Sequence, residues 1–331
     1  METTVTKEQN NNDIKGDDCG FRLSVPVAFF TFNRLDTARQ VFERIRQAQP
    51  SKLYLISDGP RAHVPGEDEK VNGVRQYLID NIDWECEVVK NFAPANMGCG
   101  KRMSSGITWV FENEEKAIFL EDDCVPQPTF FRYCQEMLEK YADVEEVMII
   151  SGNNQIAYLN TFDGDYGFSH QANIWGWAAW RRTWVDYDYD IKDWPENKKL
   201  PLWKKIYNQK AYWTLMAEYD TMYRHAYDTW DYQVSYLLGK KEAYCVIPKV
   251  NLVSNAGFTG EEFTHTAEMP EWMDQRSFPM TFPIKHPQQI VWSRKYDEEF
   301  SNRDFCHALT VHIKHILGMD VNKSVFAMFR K

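Results

Sequence analysis

At 331 residues, with Lys+Arg 38 against Asp+Glu 48, the chain carries a formal charge of −10, which argues against broad electrostatic attraction to nucleic acid or anionic lipid. The length fits one large or two small domains, and a single α/β catalytic domain with an extension is the expected arrangement. Seven cysteines, Cys19, Cys86, Cys99, Cys124, Cys134, Cys245 and Cys306, form no CxxC or Cys/His zinc pattern, so a reduced, cytoplasmic chain without structural zinc is expected.

Met1 to Gly20 is polar and acidic and lacks the basic-then-apolar order of a signal peptide, so a disordered leader is expected there. Val25 to Phe32 is a compact apolar strand, and Asn33-Arg34-Leu35-Asp36 opens a helical pattern through Ala38, Val41, Phe42 and Ile45. Lys52 to Ser57 predicts a second strand, closed by Asp58-Gly59-Pro60, and a helix follows around Val71 to Ile79. Glu85 to Asn91 predicts a third strand, Lys101 to Glu112 a helix, and Ala117 to Leu120 a fourth strand. Thr129 to Tyr141 then predicts a helix and Val147 to Gly152 a fifth strand. This alternation is the pattern of a doubly wound, mostly parallel sheet. Beyond it the composition changes, with eight of the twelve tryptophans between Trp175 and Trp230. Pro270 to Pro287 is proline-punctuated and expected to wrap the surface, and His307 to Lys331 predicts a packed amphipathic terminal helix. No stretch approaches the ~20 apolar residues of a membrane span, so any membrane residence would be peripheral.

The candidate site lies at strand ends. Ala117-Ile118-Phe119-Leu120 runs directly into Glu121-Asp122-Asp123, and open α/β sheets bind ligands beyond the carboxyl ends of such strands. Three adjacent carboxylates repel one another unless something positive sits between them, and a hard divalent cation is the simplest such partner. Strand 1 ends in Thr31-Phe32-Asn33-Arg34 and strand 2 in Asp58, on the same predicted edge; a guanidinium suits a phosphate or base oxygen and an aspartate an imide or ribose hydroxyl. Asn96-Met97-Gly98-Cys99-Gly100-Lys101-Arg102 is a Gly-rich turn into a helix, whose amides suit an anionic group. It matches neither GxxxxGK[ST] nor GxGxxG, which weakens ATPase and dehydrogenase readings. Asp163-Gly164-Asp165 and Asp186 to Asp190 follow no buried strand and read as surface loops. The run Trp175-Gly176-Trp177-Ala178-Ala179-Trp180 offers rings suited to sugar faces as well as to a core. Asp228 and Asp231 flank Trp230 at a predicted helix start, where one carboxylate is a candidate base and either is a candidate cap.

Taken in order, Pro26 to Arg34, Ser57-Asp58, Phe119 to Asp123 with Pro128 and Phe130-Phe131, Trp175-Gly176-Trp177, and Trp230-Asp231 resemble the GT-A nucleotide-sugar glycosyltransferases. Within them the run is similar to N-acetylglucosaminyltransferase I and to bacterial family-2-type, hemolysin-like transferases, over roughly Val25 to Gly257. The resemblance implies a GT-A fold, Rossmann-like and mostly parallel, with a disordered leader over 1–20 and a nucleotide-sugar-binding half over 21–152. An acceptor-binding half over 153–265 and a C-terminal extension over 266–331 complete it.

The resemblance also implies Mn2+ or Mg2+ on Asp123, with His265 a looser match as second ligand. Glu121 and Asp122 would hold ribose and donor sugar, and Arg34 and Asp58 the base. Thr31, Asn33, Asn96 and Lys101 are further candidates for the donor, which is a nucleotide sugar with UDP favoured. Trp175, Trp177 and Trp230 would meet a glycan, lipid-linked or protein acceptor, and Asp231 falls at the position of the catalytic base. A sugar-phosphate nucleotidyltransferase and a non-catalytic carbohydrate-binding protein are the alternatives. Against the first, Thr31-Phe32-Asn33-Arg34 replaces the Gly-rich loop after strand 1.

Overall fold

The computed structural model describes residues 21–259, 273, 276–303 and 305. The leader over 1–20, His265 and the terminal helix expected over 307–331 lie outside them.

The amino-terminal half follows its periodicity. Strand β1 (Val27–Thr31) leads to α1 (Leu35–Ala48), β2 (Lys52–Ser57), α2 (Glu67–Asp80), β3 (Glu87–Phe92), α3 (Cys99–Asn113) and β4 (Lys116–Glu121). A short β5 (Cys124–Pro126), α4 (Thr129–Lys140) and β6 (Val147–Ser151) complete it. The second half contains β7 (Tyr166–Ser169), β8 (Trp177–Trp180), α5 (Arg181–Trp184), α6 (Trp194–Asn197), α7 (Leu202–Ile206), α8 (Gln209–Tyr223), α9 (Asp231–Lys240), β9 (Tyr244–Pro248) and β10 (Val253–Asn255).

Eight strands form one sheet in the order β3-β2-β1-β4-β8-β6-β9-β7, so β7, β8 and β9 of the second half join the sheet of the first. Strands β3, β2, β1 and β4 are parallel, β8 inserts antiparallel between β4 and β6, β9 is parallel to β6, and β7 closes the far side antiparallel to β9. The fold is therefore α/β with a large, mixed, mostly parallel central sheet flanked by helices. The antiparallel β8 lies inside the tryptophan-rich run, where Trp-Ala-Ala-Trp is buried throughout and shows no alternation.

Alternate residues of β1 face opposite layers. Val27 and Phe29 join α1 and α4 in one core; Ala28 and Phe30 join α3, Trp177, Trp184 and Trp230 in the other. A buried Phe or Leu contributes roughly 1.5–3 kcal/mol to such layers. A third, aromatic cluster of Trp194, Trp203, Tyr207, Tyr219 and Tyr236 ties α6 to α9 together.

The β7 edge is covered from the carboxyl-terminal side, where Ser293 N–H donates to Phe168 O at 2.8 Å. Residues 294–303 are helical and carry Asp297, which is 2 % exposed. Its carboxylate accepts from Ser169 Oγ, His170 N and Trp292 Nε1. Burial pushes Asp297 up to about 6 against the pull of those donors. Since its folded value lies above the unfolded one, Asp297 adds stability that is complete below about pH 4 and lost as pH rises through about 6, on the order of 3 kcal/mol. Asp297→Asn imitates the protonated form. Denaturant unfolding from about pH 4 to about pH 7 is expected to show a wild-type stability that falls relative to the variant by roughly that amount; parallel curves would contradict it.

Candidate functional site

Parallel pairing sets Phe30 opposite Glu121 and Thr31 opposite Ser57, so the residues following β1, β2 and β4 share one rim. Asp122, with a side chain 5 % exposed, is fixed from the first of these turns. Phe32 N–H donates to its Oδ2 at 3.2 Å and Arg34 Nη2 binds its Oδ1. The same Arg34 nitrogen lies 2.9 Å from Asp123 Oδ2. The positive partner between these two carboxylates is thus a guanidinium supplied by the chain. Burial pushes Asp122 up to about 6 even with Arg34 opposing, while for Arg34 burial is outweighed by Asp122 and Asp123, which raise it further.

The Glu121 carboxylate has no hydrogen-bond partner among the described residues. Burial first, then Asp123, Asp122 and Asp231, hold its carboxyl well above the ordinary range. Among the described residues Asp123 Oδ1 meets only the Cys124 thiol, at 3.5 Å. Over this corner β10 pairs antiparallel with β5, Asn255 opposite Cys124, and Ala256 N–H donates to Asp123 O at 2.7 Å. A Cβ on Gly257 would fall 2.6 Å from Asp123 Oδ2, so the loop approaches as closely as glycine permits.

Other rim residues are engaged in holding the rim. Asp58, 6 % exposed, accepts from Gly59 N at 2.8 Å, Met97 N at 2.9 Å and Asn96 Nδ2 at 2.9 Å. Asp58 and Asn96 therefore lock the β2 and β3 turns to each other. Asn33 Nδ2 donates to Glu67 Oε1 at 3.0 Å, and buried Glu67 also pairs with Arg61. The Thr31 hydroxyl is buried and has no partner among the described residues.

The α3 start faces an anion of the chain's own. Asp228 accepts from Cys99 N and Gly100 N, each at 3.0 Å, capping the helix from 128 residues away in sequence. Gly98 reaches this geometry at φ 81°. Lys101 is exposed, whereas Arg102 is buried and donates to Asn91. Asp231, at the first position of α9, is held differently. Only its Oδ1 is bonded, to Thr229 Oγ1 and Tyr232 N, leaving Oδ2 without a partner among the described residues. Of the two acids flanking Trp230, Asp228 therefore caps α3 and not, as expected from sequence, the helix that follows it, while Asp231 keeps a carboxylate oxygen with a lone pair to offer.

The expected acceptor-facing rings divide. Trp177 and Trp230 are each 2 % exposed and stack at 5.9 Å, Trp177 also lying 4.5 Å from Phe119, so both are core residues; Trp175 is partly exposed. Several residues near Asp231 were not singled out from sequence. Tyr187 donates to Trp230 O at 3.1 Å and Tyr189 lies 3.5 Å from Asp228 Oδ1. Buried Asn153, Asn154 and Asn251 join the end of β6 to the segment after β9, Asn153 Nδ2 donating to Asn251 Oδ1 at 3.1 Å. Asn153-Asn154, directly after a predicted strand, is the one local signal that could have flagged them.

No protein-family model matches the chain, and no curated protein matches it.

Two stability outcomes follow from this geometry. Arg34→Met leaves Asp122 buried without its counter-charge and is expected to cost about 3 kcal/mol or more near neutral pH. Adding Asp122→Asn should restore most of that loss in urea unfolding, and a double variant no better than the single would refute the pairing. Asp228→Ala uncaps α3 and should cost about 1 kcal/mol.

Proposed function

We propose that the chain is a metal-dependent glycosyltransferase of the GT-A type. It would transfer a sugar from a nucleotide-diphosphate sugar, UDP-sugar favoured, to a hydroxyl of a glycan, lipid-linked or protein acceptor. What supports this reading is that Asp231 keeps one carboxylate oxygen unbonded among the described residues and lies near enough to Glu121 for its charge to raise that buried carboxyl, alongside Asp123 and Asp122.

The donor set suits Mn2+ or Mg2+ held in part by substrate. Among the described residues no three His, Cys, Asp or Glu side chains gather to hold a metal. A hard cation bridged to phosphates needs only one or two carboxylates, its remaining ligands being phosphate oxygens and water. Asp123 through Oδ1 and the unbonded Glu121 supply that number. The bound cation would contribute charge neutralisation on the diphosphate as the glycosidic bond breaks.

The chain's own groups do the rest. Arg34 keeps Asp122 and Asp123 oriented, and Asp122 fixes the turn after β1 through Phe32 N–H. Asp231 Oδ2 takes the proton of the acceptor hydroxyl as that oxygen attacks the sugar carbon, while Thr229 and Tyr232 hold Oδ1 and so aim the free oxygen. A single displacement of this kind inverts the anomeric carbon.

Thermal unfolding with UDP, GDP and CDP sugars, each with and without Mn2+, tests the reading. A true donor at a hundredfold excess over Kd adds about 2.7 kcal/mol and raises Tm by several degrees. Asp123→Ala is expected to abolish the Mn2+-dependent rise. Asp231→Asn should keep the rise while transfer falls roughly 10²–10⁴-fold. Stabilisation by free glycan with no response to any nucleotide sugar would instead mark a carbohydrate-binding protein.

A further inference from the structure

We infer that the face of the helical unit formed by α7 and α8 is a docking surface for an anionic lipid bilayer. Between residues 197 and 217 the chain has five lysines, Lys198, Lys199, Lys204, Lys205 and Lys210, and no Asp or Glu, in a protein whose total charge is −10. Two of the five are answered from outside the segment, Lys198 by Asp220 and Lys205 by Glu242. Lys199, Lys204 and Lys210 are exposed and make no ion pair among the described residues.

Apolar groups stand beside these charges. Trp213 is 62 % exposed and Leu200 40 % exposed, on the solvent side of a unit whose other tryptophans, Trp194 and Trp203, are buried. Lys204 and the exposed indole are linked through one ring: Lys204 Nζ lies 5.6 Å from the Tyr212 ring centre, and Tyr212 meets Trp213 edge-on at 5.8 Å. Neither the exposed indole nor the lysines without acidic partners contribute to a core or an ion pair, although Lys204 lies over the Tyr212 ring and Lys210 over the Phe305 ring. A bilayer with anionic headgroups satisfies both, taking the indole at the headgroup level and the ammonium groups at the phosphates.

The docking surface does not depend on the glycosyltransferase reading, because only the surface chemistry enters. Sedimentation of the full chain with vesicles of phosphatidylcholine, or of phosphatidylcholine with about one third phosphatidylglycerol, tests it. Binding to the anionic vesicles alone, weakening as salt rises, is expected. Replacing Lys199, Lys204 and Lys210 together by Gln should lower the partition coefficient on the order of a hundredfold. Trp213→Ala should lower it further while leaving the unfolding temperature unchanged. Failure of the wild type to bind anionic vesicles overturns the inference. So does equal binding by the triple variant, which would transfer the affinity to the basic His307 to Lys331 segment. A dimer abolished by Trp213→Ala without any vesicle binding would make the face a contact between copies, and equally defeat it.

Discussion

A carboxylate buried at the end of a strand is tolerable only if its charge is answered within a few ångströms, and in this protein the answer is Arg34. The requirement reaches beyond one ion pair. Arg34 can meet Asp122 and Asp123 only because β1 and β4 are neighbours in parallel register, which brings the turn after one strand against the turn after the other. That adjacency in turn needs both strands covered on each face, by α1 and α4 on one side and α3 on the other. Packing, register and local charge therefore stand or fall together at this rim.

Much of the amino-terminal half was legible in the sequence because its signals are local. Lys52 to Ser57 coincides with β2, and the helix expected over Lys101 to Glu112 is α3 with one extra residue at its carboxyl end and two at its start. The second half resisted the same treatment. Strand β8 is four residues long, buried on both faces and made of tryptophan and alanine, so it has no period to detect. Its antiparallel insertion between β4 and β6 is decided by pairing with segments about 60 and 30 residues upstream, which no window of sequence contains.

The rim shows the same division between residue type and role. Asp58, Asn96, Asp228 and Asp231 stand out from sequence as polar groups at element ends. Which of them braces the scaffold depends on contacts across the fold: Asp58 is consumed by the Gly59 and Met97 amides and the Asn96 side chain, and Asp228 by the amides that open α3. The tryptophans follow suit. Ring chemistry alone gives Trp177 and Trp230 equal claims to a core and to a ligand, and the layer beneath β4 and β8 takes them both. Trp194 and Trp203 supply the core of a small helical unit whose α9 also packs Val234, Leu237 and Leu238 into the layer of the main sheet.

The ribbon of β5 and β10 carries a consequence for the order in which the molecule is made. Asp122 and Asp123 leave the ribosome some 130 residues before Ser254 and Asn255, which pair over them, and before Gly257 comes to rest against Asp123. A nascent chain that has finished β1 through β6 already owns its acidic corner but not the roof above it. Completion of that corner thus waits on a segment some 130 residues further along, and a chain stopped before it would hold both acids on Arg34 alone, without the covering ribbon.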